Sequence, residues 1–255
     1  QEGLGIARAV NDKTYSALSL FFLGLVEHAM GNEAEADRSF REGLAIGYML
    51  RQPRMISMIA VHWALTLLAL GQYGEARERL QEGLAVARET QDRWLVGTAL
   101  GHLGMVMLAQ GDHAGARAAL LEAVALARET GGSWDRSWGE VSLGNVYLAE
   151  GDAGQAEAHY RLGLRLALEA DAVPLALDAL TGFAELRALT GKREGALELA
   201  RHVCSHPASS GNARARAAEV LRMLDPYGGD QPLAPPAGEF EETVSKILGH
   251  SEGDR

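Results

Sequence analysis

The chain is poor in cysteine, lysine, aromatic residues and long apolar runs. Cys204 is the single cysteine among 255 residues, which excludes an internal disulfide and a thiolate zinc site and fits a reducing, cytoplasmic compartment. Lys13, Lys192 and Lys246 are the only lysines, the formal net charge is -10, and the arginines are spread over many helix faces. Without a basic stripe to displace counterions, nucleic acid is not an expected partner of this segment. The apolar stretch around Ala64 to Leu70 falls far short of the roughly 20 residues that cross a bilayer, so no membrane span is expected. Gln1 to Val10 lack the basic start and apolar core of a secretory signal.

What is present is a register. Gly31, Gly71, Gly111, Gly151 and Gly191 stand forty residues apart, and Ala36, Ala76, Ala116, Ala156 and Ala196 follow each by five. Seven residues before each glycine comes another small residue, Gly24, Ala64, Gly104, Gly144 and Ala184. Twelve after it comes Gly43, Gly83, Ala123, Gly163 and then Val203. Repetition at one period signals a stacked repeat array, in which each unit buries its apolar face against its neighbours.

Each unit reads as two helices. Val141, Leu143, Val146, Tyr147 and Leu148 follow helical spacing, Gly151 and Asp152 break the helix, and Ala156, Tyr160, Gly163 and Leu164 form the stripe of the next one. A mid-helix glycine costs about 1 kcal/mol against alanine. Packing must return it, and the expected device is a close helix crossing in which Phe40, Leu80, Leu120 or Tyr160 fills the space beside a minimal residue.

The stretch from Ser142 through Gly151-Asp152 to Ala156, Tyr160 and Gly163 resembles the tetratricopeptide repeat family, with a forty-residue period instead of the usual thirty-four. The resemblance implies an all-α, right-handed superhelical solenoid of antiparallel helix pairs. The expected organisation is residues 1–12 as the second helix of a preceding repeat, 13–210 as five repeats and 211–225 as a capping helix. Residues 226–238, rich in proline and glycine, read as a linker, and 239–255 as a short amphipathic helix and tail. The phrases Leu84 to Trp94 and Leu126 to Gly132 further resemble the C-terminal sensor arrays of bacterial STAND-type signal-transduction ATPases and transcriptional regulators. That likeness implies an upstream nucleotide-binding switch, although no phosphate-binding Gly-rich loop with its Lys and Ser or Thr occurs in this chain.

No residues combine a nucleophile, a base and oxyanion donors, so neither catalysis nor a cofactor is expected. His62 and His102 share one register position, but neighbouring helices about 10 Å apart would keep them from sharing a metal. His202 and His206 lack a third ligand, and Cys204 reads as a small core residue.

In the tetratricopeptide family the first helices line a concave groove. The tracks along it are Leu18, Met58, Thr98, Trp138 and Asp178; Phe21, Val61, Gly101, Val141 and Thr181; and Leu25, Leu65, Met105, Asn145 and Glu185. A protein or peptide segment is the expected ligand, an amphipathic helix above all, and the upstream switch domain is a second candidate. The chain's own Phe240, Val244, Ile247 and Leu248 form another candidate, docking back into the groove. Two other functions fit the array: a small-molecule receptor at Trp134 and Trp138 with Asp135, Arg136 and Asn145, or an assembly scaffold.

Overall fold

The computed structural model describes residues 2–225 and 240–249. Among them are thirteen helices and no strand: α1 (Glu2–Ala9), α2 (Lys13–Ala29), α3 (Glu33–Leu50), α4 (Pro53–Ala69), α5 (Tyr73–Glu89), α6 (Arg93–Ala109), α7 (His113–Thr130), α8 (Ser133–Ala149), α9 (Ala153–Glu169), α10 (Val173–Leu189), α11 (Arg193–Ser205), α12 (Gly211–Leu224) and α13 (Phe240–Leu248). The expected linker, 226–238, lies outside the described residues.

The helix ends explain the register. Gly31, Gly71, Gly111, Gly151 and Gly191 all have φ between +73 and +80, a conformation open to glycine at little cost. The turns between pairs use the same geometry, at Asn11, Arg51, Gln91, Gly131 and Asp171. The backbone therefore repeats every twenty residues, while the glycine pattern shows mainly the alternate turns. At most of these turns the next N–H returns to the preceding helix, as from Gln72 to the Leu67 carbonyl at 2.8 Å and from Asp92 to Ala87 at 2.9 Å. Such bonds satisfy carbonyls that a helix end leaves orphaned. Asp12, Asp92, Asp112 and Asp152 then accept from Tyr15, Leu95, Gly115 and Gln155 N–H at 2.9–3.1 Å, each cap worth about 1 kcal/mol. Pro53 and Pro174 occupy first turns, where a missing N–H costs nothing.

The chain divides into two compact units, Gln1–Gly131 with α1–α7 and Gly132–Arg255 with α8–α13. In the first, α2 pairs with α3, α4 with α5 and α6 with α7. In the second, α8 pairs with α9 and α10 with α11, and α12 packs on α10 and α11.

The small positions are where helices cross most tightly. A Cβ on Gly24 would stand 2.8 Å from the Phe40 ring, on Gly104 2.7 Å from Leu120, and on Gly144 2.5 Å from Tyr160. Gly83 and Gly163 likewise meet Val61 and Val141 at 2.6 Å. The hydroxyls of Ser57 and Ser137 donate to the Gly83 and Gly163 carbonyls at 2.7 and 2.9 Å. Phe40, Leu80, Leu120 and Tyr160 are fully buried; burial of a side chain of this size contributes about 1.5–3 kcal/mol, more than the helix propensity each glycine forfeits.

Candidate functional site

Three clusters of side chains on the helix faces bear on function, one in the first unit and two in the second.

In the first unit, the first helices α2, α4 and α6 carry the expected groove tracks. Leu18, Leu25, Met58, Leu65, Thr98 and Met105 are partly exposed, and Leu18, Leu25 and Met58 also pack on the core. Phe21 and Val61 differ from the expectation. They are buried at 5% and 0% exposure, because their stripe faces the second helices, so they support the surface without lining it. Phe22, one residue on, is 60% exposed. It shares its register position with His62 and His102, a track the sequence reading did not assign to Phe22. His62 meets Phe21 at 5.2 Å, Trp94 at 6.3 Å and His102 at 5.6 Å between ring centroids. The separation expected from helix spacing is thus corrected: the rings lean across the gap between α4 and α6. His62 Nδ1 lies 2.8 Å from the Met58 carbonyl and His102 Nδ1 2.9 Å from that of Val61. Burial, reinforced by His62, pushes His102 down to about 3, so it is neutral at physiological pH. Among the described residues no group of three or more His, Cys, Asp or Glu side chains is placed to hold a metal.

In the second unit the tracks turn polar and are occupied from within. Arg216 of α12 donates from Nε to Glu185 Oε1 at 2.8 Å and from Nη2 to Glu185 Oε2 at 2.5 Å, and also from Nη2 to Asn145 Oδ1 at 2.9 Å. Tyr160 OH donates to the same Asn145 oxygen at 2.9 Å, and Ser210 Oγ lies 3.3 Å from Asp178 Oδ1. Burial pushes Asp178 up to about 6, against the pull of Arg216, and raises Tyr160. Arg216 itself is raised, its partner Glu185 outweighing desolvation. The Asn145 carbonyl oxygen, on the third groove track, is thus taken by two donors. Trp138 packs on the core, while Trp134 is 54% exposed. The sequence reading missed Arg216, which lies in the capping helix and outside the forty-residue register.

The third cluster is the seat of α13. Val244 and Ile247 are buried in the second unit's core, with Phe240 and Leu248 packed beside them. Phe240 stacks on His202 at 5.7 Å and meets His206 at 5.6 Å, and Arg161 donates to the Ile247 carbonyl. These partners belong to α9 and to α11 with its C-terminal cap. The helix therefore lies on second helices, in place of the first-helix groove expected for it, because its apolar stripe meets the gap between α9 and α11.

Residues 55–129 match the tetratricopeptide repeat. The structure is similar to the crystal structure of BtubC (BKLC) from P. vanneervenii, with 16% identity, TM-score 0.58 and 93% of each chain covered. It is also similar to two crystal structures of a putative kinesin light chain from Podosopora anserina with nearly identical TPR-like repeats. The first, of a singly substituted form, gives 22% identity, TM-score 0.52 and coverage of 80% of this chain and 95% of that one; the second gives 20%, 0.51, 81% and 95%. No curated protein matches significantly. The chain is thus an all-helical, tetratricopeptide-like solenoid, a fold that generally serves protein interaction. No described helix is long and apolar enough to cross a membrane.

Proposed function

We propose that this chain is a non-catalytic interaction module that binds an amphipathic helix along the first-helix face of α2, α4 and α6, as the sensor array of a larger bacterial signalling protein. One observation carries the reading. Phe22, Val26 and Trp94 are 60%, 54% and 39% exposed, beside the partly exposed Leu18, Leu25, Met58, Leu65 and Met105. A large exposed apolar surface on a soluble repeat marks a binding site, and methionines let it adapt to ligands of different shape. The corresponding tracks of the second unit are spent on Arg216 and its partners, which favours the first unit as the open face. The signalling context is supported by the phrases Leu84 to Trp94 and Leu126 to Gly132, and an upstream switch domain is one source of the helix.

The test is selection of helical peptides from a displayed library against the whole chain, followed by titration calorimetry on variants. Phe22→Asp, Met58→Asp and Leu65→Asp should each weaken the selected peptides at least tenfold, about 1.4 kcal/mol, with unchanged helical circular dichroism. Arg165→Glu, on an exposed face of α9, should leave affinity as it was. Peptides indifferent to all three first-unit substitutions would refute the assignment.

A further inference from the structure

The seat of α13 has features that helix packing alone does not require. His202 is 4% exposed, and among the described residues neither ring nitrogen has a hydrogen-bond partner. It borders both His206, at 5.9 Å, and Phe240 of α13, at 5.7 Å between ring centroids. A neutral imidazole tolerates such a place at modest cost, whereas an imidazolium there has lost its water and gained no acceptor. Undocking α13 removes the Phe240 ring from one side of His202 and opens that side to solvent.

The other end of the seat is incompletely filled. A cavity of about 340 Å³ remains beside Ile247, and among the described residues Arg161, Arg187, Lys192 and Lys246 line it against the one carboxylate of Glu157. Glu157 pairs with Arg161 at 2.8 Å and Lys246 with Glu242 at 2.8 Å, which leaves the cavity positive within an acidic protein. The first residues of α9, Ala153 and Gly154, also line it, adding the positive end of a helix dipole. The C-terminal end of α13, negative by the same dipole, points its Ile247 carbonyl at Arg161.

We propose that the face between α9 and α11 is a second helix-binding surface, that α13 is its built-in occupant, released when His202 takes up a proton, and that its competitor is an amphipathic helix with acidic residues beyond its apolar stripe. The Phe240, Val244 and Ile247 spacing defines the stripe that fits, and the cationic cavity defines the charge that should follow it. This surface is separate from the first-unit face, so either can fail without the other.

The direction of the pH response follows from the seat. Burial, reinforced by His206 and opposed by Glu198, holds His202 below its ordinary value while α13 is docked. Of the other charged groups on the surrounding elements, Glu242 and Lys246 of α13 pair with each other, Arg161 and Glu157 of α9 pair with each other, and Arg214 of α12 bonds the His206 carbonyl. Undocking returns His202 toward its free value. Acid therefore favours the open state, by up to about tenfold per pH unit between the two values.

Hydrogen exchange on the whole chain, corrected for intrinsic rates, tests the latch. Between pH 7.5 and 5.5, protection of the 240–249 amides should fall about tenfold in the wild type. His202→Gln should abolish that response and His206→Gln should leave it in place. A wild-type response no larger than that of His202→Gln, or one lost with His206→Gln, would overturn the proposal. For the competitor, Ile247→Glu should undock α13 and allow a labelled peptide of residues 240–249 extended by three glutamates to bind at least tenfold more tightly than one extended by three lysines. Equal binding, or none to a variant that retains its helical circular dichroism, would overturn it as well.

Discussion

The Arg216 guanidinium grips the Glu185 carboxylate through two parallel bonds, and its second nitrogen also reaches Asn145. A helix outside the repeat register thereby closes the polar end of the second unit's first-helix face. Paired, the two charges satisfy each other; with one removed, the other is left partly buried and unmatched.

Arg216→Leu alone should therefore cost about 1–3 kcal/mol, discounted because both side chains retain some solvent contact. The double change Arg216→Leu with Glu185→Leu should cost less than the single one. Urea unfolding of the three variants measures both statements, and a double variant worse than the sum of the singles would contradict the pairing.

Gly144 and Gly74 make a second contrast. An added methyl at Gly144 runs into the Tyr160 ring at 2.5 Å, whereas at Gly74 it meets nothing within 4 Å. Gly144→Ala should destabilise by about 1–3 kcal/mol through overpacking. Gly74→Ala should stabilise by about 0.5–1 kcal/mol through helix propensity and a less flexible unfolded chain. Thermal melts read both signs.

Turn residues offer a third. Gln91 sits at φ +55 and Gly111 at φ +79, and a left-handed conformation costs an ordinary residue about 1–2 kcal/mol. Gln91→Gly should thus raise the melting temperature and Gly111→Ala lower it, by several degrees each.

Acid should act on the two units in opposite directions. His102 is pushed from 6.5 down to about 3. Its contribution is fully present above 6.5 and is lost as pH falls toward 3, because the unfolded chain binds the proton first. Asp178 is pushed from 3.8 up to about 6. Its contribution is fully present below 3.8 and is lost as pH rises through 6. His102→Gln should consequently reduce the acid sensitivity of the first unit between pH 6.5 and 4, followed through Trp63 and Trp94 fluorescence. Asp178→Asn should stabilise the chain at pH 7.5 and do little at pH 4, as circular dichroism melts would show.

Local chemistry by itself determined the helix pairs, their forty-residue period and the tight crossings of Gly24 with Phe40 and Gly144 with Tyr160, since a residue without a side chain repeated at one place is explained by close backbone approach. The left-handed turns at Arg51, Gln91 and Asp171 left no such trace, because packing holds ordinary residues there against their preference. Tertiary structure alone decided which faces remain open. Phe21 and Val61 turn inward while Phe22 turns out, Arg216 arrives from α12 to occupy Glu185 and Asn145, and α13 settles on α9 and α11. Each of these depends on contacts between residues remote in the chain, and periodicity carries information only about neighbours along a helix and along the stack.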